Sequence, residues 1–348
     1  MNKYDLTITK LHQMVKEGIV PGVSYLIFDH QHTIKEVTGM AQVYPETEIL
    51  KPGMLYDVAS LTKVVGTVPV IAQLIQKGTL SLDDPIKQYL PEFNDDRPTI
   101  RNLLTHTSGI AGYIPHRNEL TASELKKAFL AKMHVEDSLN RQIKYADVNY
   151  LYLGWIIERI YDQPVQNVIT EQVLKPLNLP TATFNPTPAN CVPTEVQTKR
   201  GLIRGETHDP KGYILGESCG CAGLFASLKD LEIFSHALIE NNLNGLLTSE
   251  TIDLFFTDQT RIPGPHSRSL GWKLFHAKDH HLLISHTGFT GTWMVLDRQT
   301  DQGFIVLTNR VHPSAKNQEF LAARDQLFAI YLTEKEKTAI EDLKTQEQ

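Results

Sequence analysis

Near the N-terminus the apolar positions Leu6, Ile8, Leu11, Met14 and Val15 recur at close to helical spacing and stop at Gly18, which predicts a helix over residues 5–18. The period then shortens. GVSYLIFD (22–29) and TIKEVTGM (33–40) are β-former-rich runs joined by a short polar turn, the pattern of an antiparallel hairpin. From about residue 270 the same pattern returns in LGWKLF, HLLISHTG, TGTWMVLD and DQGFIVLTN, four further strands with short turns. A closing helix, NQEFLAARDQLFAIYL, gathers Phe320, Leu321, Ala323, Leu327, Phe328 and Tyr331 on one broad face. Between the two strand regions the pattern is helical, as in ASELKKAFLAKM, VNYLYLGWIIERIY and SLKDLEIFSHALIE. The economical expectation is an α+β fold: one antiparallel sheet flanked by helices, with a mostly helical inserted domain. The sheet domain would take residues 1–79 and 266–348, the insert 80–265, with a cleft where they meet.

Composition narrows the classes. The chain has 348 residues, 41% of them hydrophobic, enough to build real cores. Its net charge of −6 comes from interspersed acids and bases without a basic stripe, so nucleic acid is not an expected partner. Charges break the N-terminal twenty residues every few positions, so no secretory signal is visible there. VVGTVPVIAQLI, the longest apolar-rich run, is about half the roughly 20 residues of a membrane span and contains Pro69 and Gln73. Three cysteines, Cys191, Cys219 and Cys221, are too few for a disulfide framework, and no histidine or cysteine spacing suits a metal. The expectation is a cytoplasmic protein with a small-molecule substrate, no metal and no cofactor; oligomeric state is not legible.

Three serines compete as a nucleophile. GESCG (216–220) fits G-x-S-x-G, but Ser218 lacks the preceding buried strand and following helix that such an elbow needs. Ser60-Leu-Thr-Lys63 places a lysine amine one helical turn beyond a serine hydroxyl, on the same face. Ser123-Glu-Leu-Lys126 has the same spacing on a charged, solvated helix face, with Ser123 read near the N-cap. The helix after Ser60 is apolar and ends at Lys77-Gly78, so Lys63 would be buried, which is expensive unless it has work to do. Pro69 within it predicts a kink. Taken alone, Ser60 reads equally as a helix N-cap.

Two further stretches decide between those readings: KYADVNYLYLGWIIE (144–158) and SHTGFTGT (285–292). With Ser60-Leu-Thr-Lys63 they resemble the three motifs of the serine β-lactamase and penicillin-binding-protein family. Tyr145-Ala-Asp147 stands for Tyr-x-Asn and His286-Thr-Gly288 for Lys-Thr-Gly, both imperfectly. LLTHTSGI, HDPKGYIL, CAGLFASLKDL and VLTNRVHP are similar to its class C and esterase-like branch, and the likeness runs from about Gly22 to Pro313. It implies the β-lactamase/transpeptidase-like fold and an acyl-enzyme mechanism. Ser60 would attack a carbonyl, Lys63 and Tyr145 would share its proton, and the Ser60 and Phe289 N–H groups would hold the oxyanion. Asp147, His286, Thr287 and Gly288 would contact the substrate, Gly288 by admitting its backbone close to the strand.

Two departures bear on the substrate. His286, only part-charged near neutral pH, would grip a substrate carboxylate less well than lysine. Asp147 would favour the charged form of Lys63 and repel anions, or would merely cap the helix that begins at Val148. Cys219 and Cys221 read as small buried thiols beside the cleft. The expectation is a serine hydrolase acting on a small ester or amide. The alternatives are a D-alanyl carboxypeptidase or true β-lactamase, and a catalytically silent binding or regulatory module of the same fold.

Overall fold

The computed structural model describes residues 3–346 apart from Gln31, 241–242 and 265–266, with side chains described as far as Glu336. Strands β1 (Gly22–Phe28) and β2 (Thr33–Gln42) form the expected hairpin, with Val23 opposite Thr38, and β3 (Glu48–Ile49) extends it. Strands β4 (Lys273–His276), β5 (Leu282–Thr287), β6 (Thr292–Asp297) and β7 (Gln302–Thr308) follow as an antiparallel meander. The two groups join through β7 and β1, Ile305 opposite Leu26, in a seven-stranded sheet of order β4-β5-β6-β7-β1-β2-β3. Both ends of the chain therefore build one sheet.

Alternation along the strands sorts their side chains between two cores. Tyr25, Ile27, Trp293, Val295 and Phe304 pack with Leu11, Met14, Leu327 and Tyr331 of the first and last helices, Asp5–Lys16 and Glu319–Gln346. Leu26, Phe28, Met294, Leu296 and Ile305 face the helical body. The last helix extends well past its apolar pattern, and Leu321, assigned to the apolar face by spacing, is instead exposed at the cleft.

In the helical body, helix Val148–Tyr161 has its first ten residues buried, and helix Leu228–Ile239 lies on the sheet against β1, β6 and β7. Each fully buried Leu, Ile or Phe of these helices contributes about 1.5–3 kcal/mol. In the helix after Ser60, Lys63–Thr67 form one π-helical turn, closed by the Val68 N–H on the Lys63 carbonyl, and the regular helix runs Val68–Gln76. The break that Pro69 imposes on the ladder falls at this widened turn.

Candidate active site

Ser60 sits at the head of that helix on a strained turn. The residue before it, Ala59, adopts a left-handed φ of 47°, a conformation that costs a non-glycine residue about 1–3 kcal/mol. Buried Asp57 holds it there: one carboxylate oxygen accepts from the Ala59 N–H and the other from the His208 N–H, each at 2.8 Å. The β5–β6 turn clamps the same segment, Thr290 Oγ1 donating to the Asp57 carbonyl at 2.7 Å and Thr292 Oγ1 to that of Val58 at 3.0 Å. Gly288 is required by this clamp. A Cβ there would stand 2.1 Å from Thr292 Oγ1 and 2.6 Å from the Val58 carbonyl, so the protein's own packing already demands a bare residue at this position.

Lys63 is wholly buried, with 0% of its side chain exposed. Its Nζ lies 2.8 Å from Ser60 Oγ, 2.9 Å from the Cys221 carbonyl and 2.9 Å from Asp147 Oδ1. Three acceptors for three N–H donors describe an ammonium at rest. Burial alone would depress its pKa, but the opposing charges available from Tyr145 and Asp147 outweigh that and hold it well above the ordinary lysine value. The glycine-rich segment 216–223 thus contributes a carbonyl to the site. Cys219 and Cys221 are fully buried free thiols, as read from the sequence.

Tyr145 projects into the cleft, 44% exposed, its ring 5.4 Å from the Lys63 amine and 5.7 Å from the Arg268 guanidinium. Among the described residues its hydroxyl makes no hydrogen bond to Ser60 or Lys63. Buried His106 packs against the ring at 4.3 Å, and its Nδ1 accepts from the Ala146 N–H at 3.2 Å. Those contacts fix the Tyr145-Ala-Asp147 turn from the LLTHTSGI segment, a support that the spacing of its residues does not disclose. Asp147 makes no capping bond to its helix, so the simple-cap alternative does not hold. Its carboxylate bridges two lysines, Lys63 at 2.9 Å and Lys211 at 3.2 Å. Burial would raise its pKa, but the two cations hold it well below the usual carboxylate range.

On the opposite wall, among the described residues, the N–H groups of Ser60 and Phe289 donate to no protein acceptor, the condition an oxyanion hole requires. Phe289 is exposed, its ring stacked at 5.5 Å on His208. Thr287 closes β5, its carbonyl taken by His286 Nδ1 at 3.1 Å. That bond makes Nδ1 the protonated nitrogen. His286 does not fit the part-charged role read from its type: it is 4% exposed, and burial, with the Lys63 and Arg268 charges, pushes its pKa well below the ordinary value. It stands in the site as a neutral imidazole.

Arg268, which precedes β4 and carries no motif, stands on the Tyr145 side of the cleft. It lines the cleft with Lys273, Arg310 and Arg324 around a cavity of about 630 Å³ that opens on Ser60, Tyr145 and His286. Arg268 and Lys273 have no carboxylate within ion-pair distance among the described residues, and Asp325 is the cavity's single acid. No group of three or more His, Cys, Asp or Glu side chains is gathered for a metal among the described residues.

The rival serines lie elsewhere. Ser218 ends a short 3-10 turn, Gly216–Ser218, and gives its carbonyl to the Trp155 indole at 3.0 Å. Ser123 lies inside helix Ala122–Lys132, whose cap is Thr121 rather than Ser123.

A family model described as Beta-lactamase matches residues 8–328. A putative D-alanyl-D-alanine carboxypeptidase of Escherichia coli (strain K12) is 27% identical over 90% of this chain and 82% of its own. Among solved structures, the octameric penicillin-binding protein homologue from Pyrococcus abyssi superposes with a TM-score of 0.74 at 21% identity, covering 95% of this chain and 78% of that one. EstCE1, a hydrolase with promiscuous acyltransferase activity, gives 0.73 at 19% identity over 94% of this chain and 98% of its own.

Proposed function

The chain belongs to the beta-lactamase family, and on that premise we propose that it is a serine hydrolase that cleaves small esters or amides through an acyl-Ser60 intermediate. The observation that carries this reading is the wholly buried Lys63 amine, 2.8 Å from Ser60 Oγ. When the ammonium gives up one proton, its lone pair faces the serine hydroxyl. Ser60 Oγ then bonds to the substrate carbonyl carbon while its proton passes to Lys63, with Tyr145 beside the path. The carbonyl oxygen gains the electron pair and is held by the Ser60 and Phe289 N–H groups. Collapse expels the leaving group, which takes the proton back from Lys63 or Tyr145. Water attacks the acyl-serine by the same route in reverse. A catalytically silent module would have no need to keep a lysine buried against its serine.

Arg268 favours a second reading. A partly buried cation with no carboxylate within ion-pair distance among the described residues, lining the same cavity as Ser60 and Phe289, supports a substrate that carries a carboxylate, as a D-alanyl peptide or a β-lactam does. It supplies the grip that neutral His286 cannot. No helix among the described residues is long and apolar enough to cross a membrane. The free thiols of Cys191, Cys219 and Cys221 support a cytoplasmic setting. Intact-mass measurement after incubation with an activated ester, a penicillin and a D-alanyl-D-alanine peptide tests both readings. An acyl adduct that disappears in Ser60→Ala is the expected result. Turnover of any of them by Ser60→Ala at the wild-type rate would remove the proposal.

A further inference from the structure

We propose that Lys211 is a positioning residue of this site: by binding the second oxygen of Asp147 it restrains that carboxylate's pull on Lys63 and lets the amine reach its free-base form. The inference rests on Ser60 as nucleophile and Lys63 as its base. Where a neutral side chain would leave the amine alone, this chain places an acid one hydrogen bond away and then a second lysine behind it.

Three links form the chain of charges. Asp147 Oδ1 meets Lys63 at 2.9 Å, Asp147 Oδ2 meets Lys211 at 3.2 Å, and Lys211 meets Asp209 Oδ2 at 2.8 Å. Asp209 is fixed in turn: its other oxygen caps the helical turn Pro210–Leu215, accepting from the Lys211 and Gly212 N–H groups at 2.8 Å each. Only 12% of the Lys211 side chain is exposed, a desolvation that a merely solubilising lysine would avoid. The segment is the HDPKGYIL stretch, which no step of the reaction had otherwise engaged.

Lys63 is faced by the Tyr145 and Tyr150 rings, the Asp147 carboxylate, the Cys221 carbonyl and thiol, and, further out, Arg268, His106 and His286. Lys211 is faced by Asp147, Asp209 and Cys221. Burial keeps both histidines neutral. The charges that set the base are therefore those of Asp147, Lys211, Asp209 and Arg268. Removing Lys211 deletes a cation and leaves Asp147 to act on Lys63 alone, so the base holds its proton to higher pH. The sign is the same if Tyr145 shares the proton, because losing a nearby cation also disfavours a phenolate.

The test is the pH dependence of kcat/KM on a neutral ester for wild type, Lys211→Met, Lys211→Arg, Asp147→Asn and the double variant Asp147→Asn/Lys211→Met, with fluorophosphonate labelling of Ser60 at the alkaline plateau. Lys211→Met should move the rise of kcat/KM with pH upward by about one unit, a roughly tenfold loss below it, with the plateau kept. Asp147→Asn should move it downward, the double variant should return it close to wild type, and Lys211→Arg should leave it in place. A loss equal at every pH, or an unmoved rise with Ser60 labelled, overturns the inference and spares the nucleophile assignment. An unlabelled wild-type Ser60 overturns both. If Lys211→Met does not fold, an unmoved rise in Asp147→Asn still overturns the inference.

Discussion

The chain contains the same four-residue pattern twice, and the two copies do different things. In Ser60-Leu-Thr-Lys63 the lysine is fully buried and its amine lies 2.8 Å from the serine oxygen. In Ser123-Glu-Leu-Lys126 the lysine is 34% exposed, turns to Glu158 at 2.6 Å and rests over the Trp155 ring at 5.4 Å. Spacing alone puts serine and lysine one turn apart in both. What separates them is that Lys63 has no water to turn to: its amine must use Ser60, Cys221 and Asp147. An exposed lysine keeps its hydration and takes the nearest carboxylate. Burial turns the pattern into chemistry.

Substitutions in the two copies give the widest contrast. Ser60→Ala should cut turnover by about 10⁶, the scale of nucleophile deletion in serine hydrolases, with the thermal unfolding midpoint little changed; Ser123→Ala should do nothing measurable. Lys63→Met should slow acylation by about 10²–10⁴ in stopped-flow measurements, while Lys126→Met costs at most a fraction of a kcal/mol of stability. Tyr145→Phe added to Lys63→Met should lose less than the sum of the two, because one proton path is being cut twice. Smaller again, Arg268→Gln should raise KM for a carboxylate-bearing ester by roughly tenfold, the worth of one hydrogen bond to a charged group, and leave the matched neutral ester unchanged. A rise for both esters would place Arg268 in a structural role.

The smallest effect concerns His286. Its pKa is depressed, so the imidazole stays neutral while pH falls through 6.5, and the charged form appears only well below that. KM for the carboxylate-bearing ester should therefore not improve between pH 7.5 and about 6, the range around an ordinary imidazole pKa. An improvement specific to that ester and lost in His286→Gln would return the residue to a cationic role.

What was legible in the sequence follows this division between local and distant causes. The strands of both chain ends, the helix Val148–Tyr161 and the burial of Lys63 are written in local periodicity, because each depends on neighbours one or two turns away. The protonation of His286 was not, because its type suggests a switch while its burial on β5, beside Trp272, Lys63 and Arg268, decides against one. Arg268 lies in an irregular segment, and only folding brings it beside Tyr145. The Asp147–Lys211 pair joins the start of one helix to a helical turn far along the chain, so neither residue's role can be read from its own surroundings. Asp57 was hidden for the same reason: its partners are Ala59, two residues away, and His208, on a distant loop.

The most direct test of burial as the selector is peptide mapping of the adduct formed with a fluorophosphonate under turnover conditions. A single label on the peptide containing Ser60, lost in Lys63→Met under brief exposure, is the predicted result. A label on Ser218 or Ser123, with Ser60 unmodified, would contradict it.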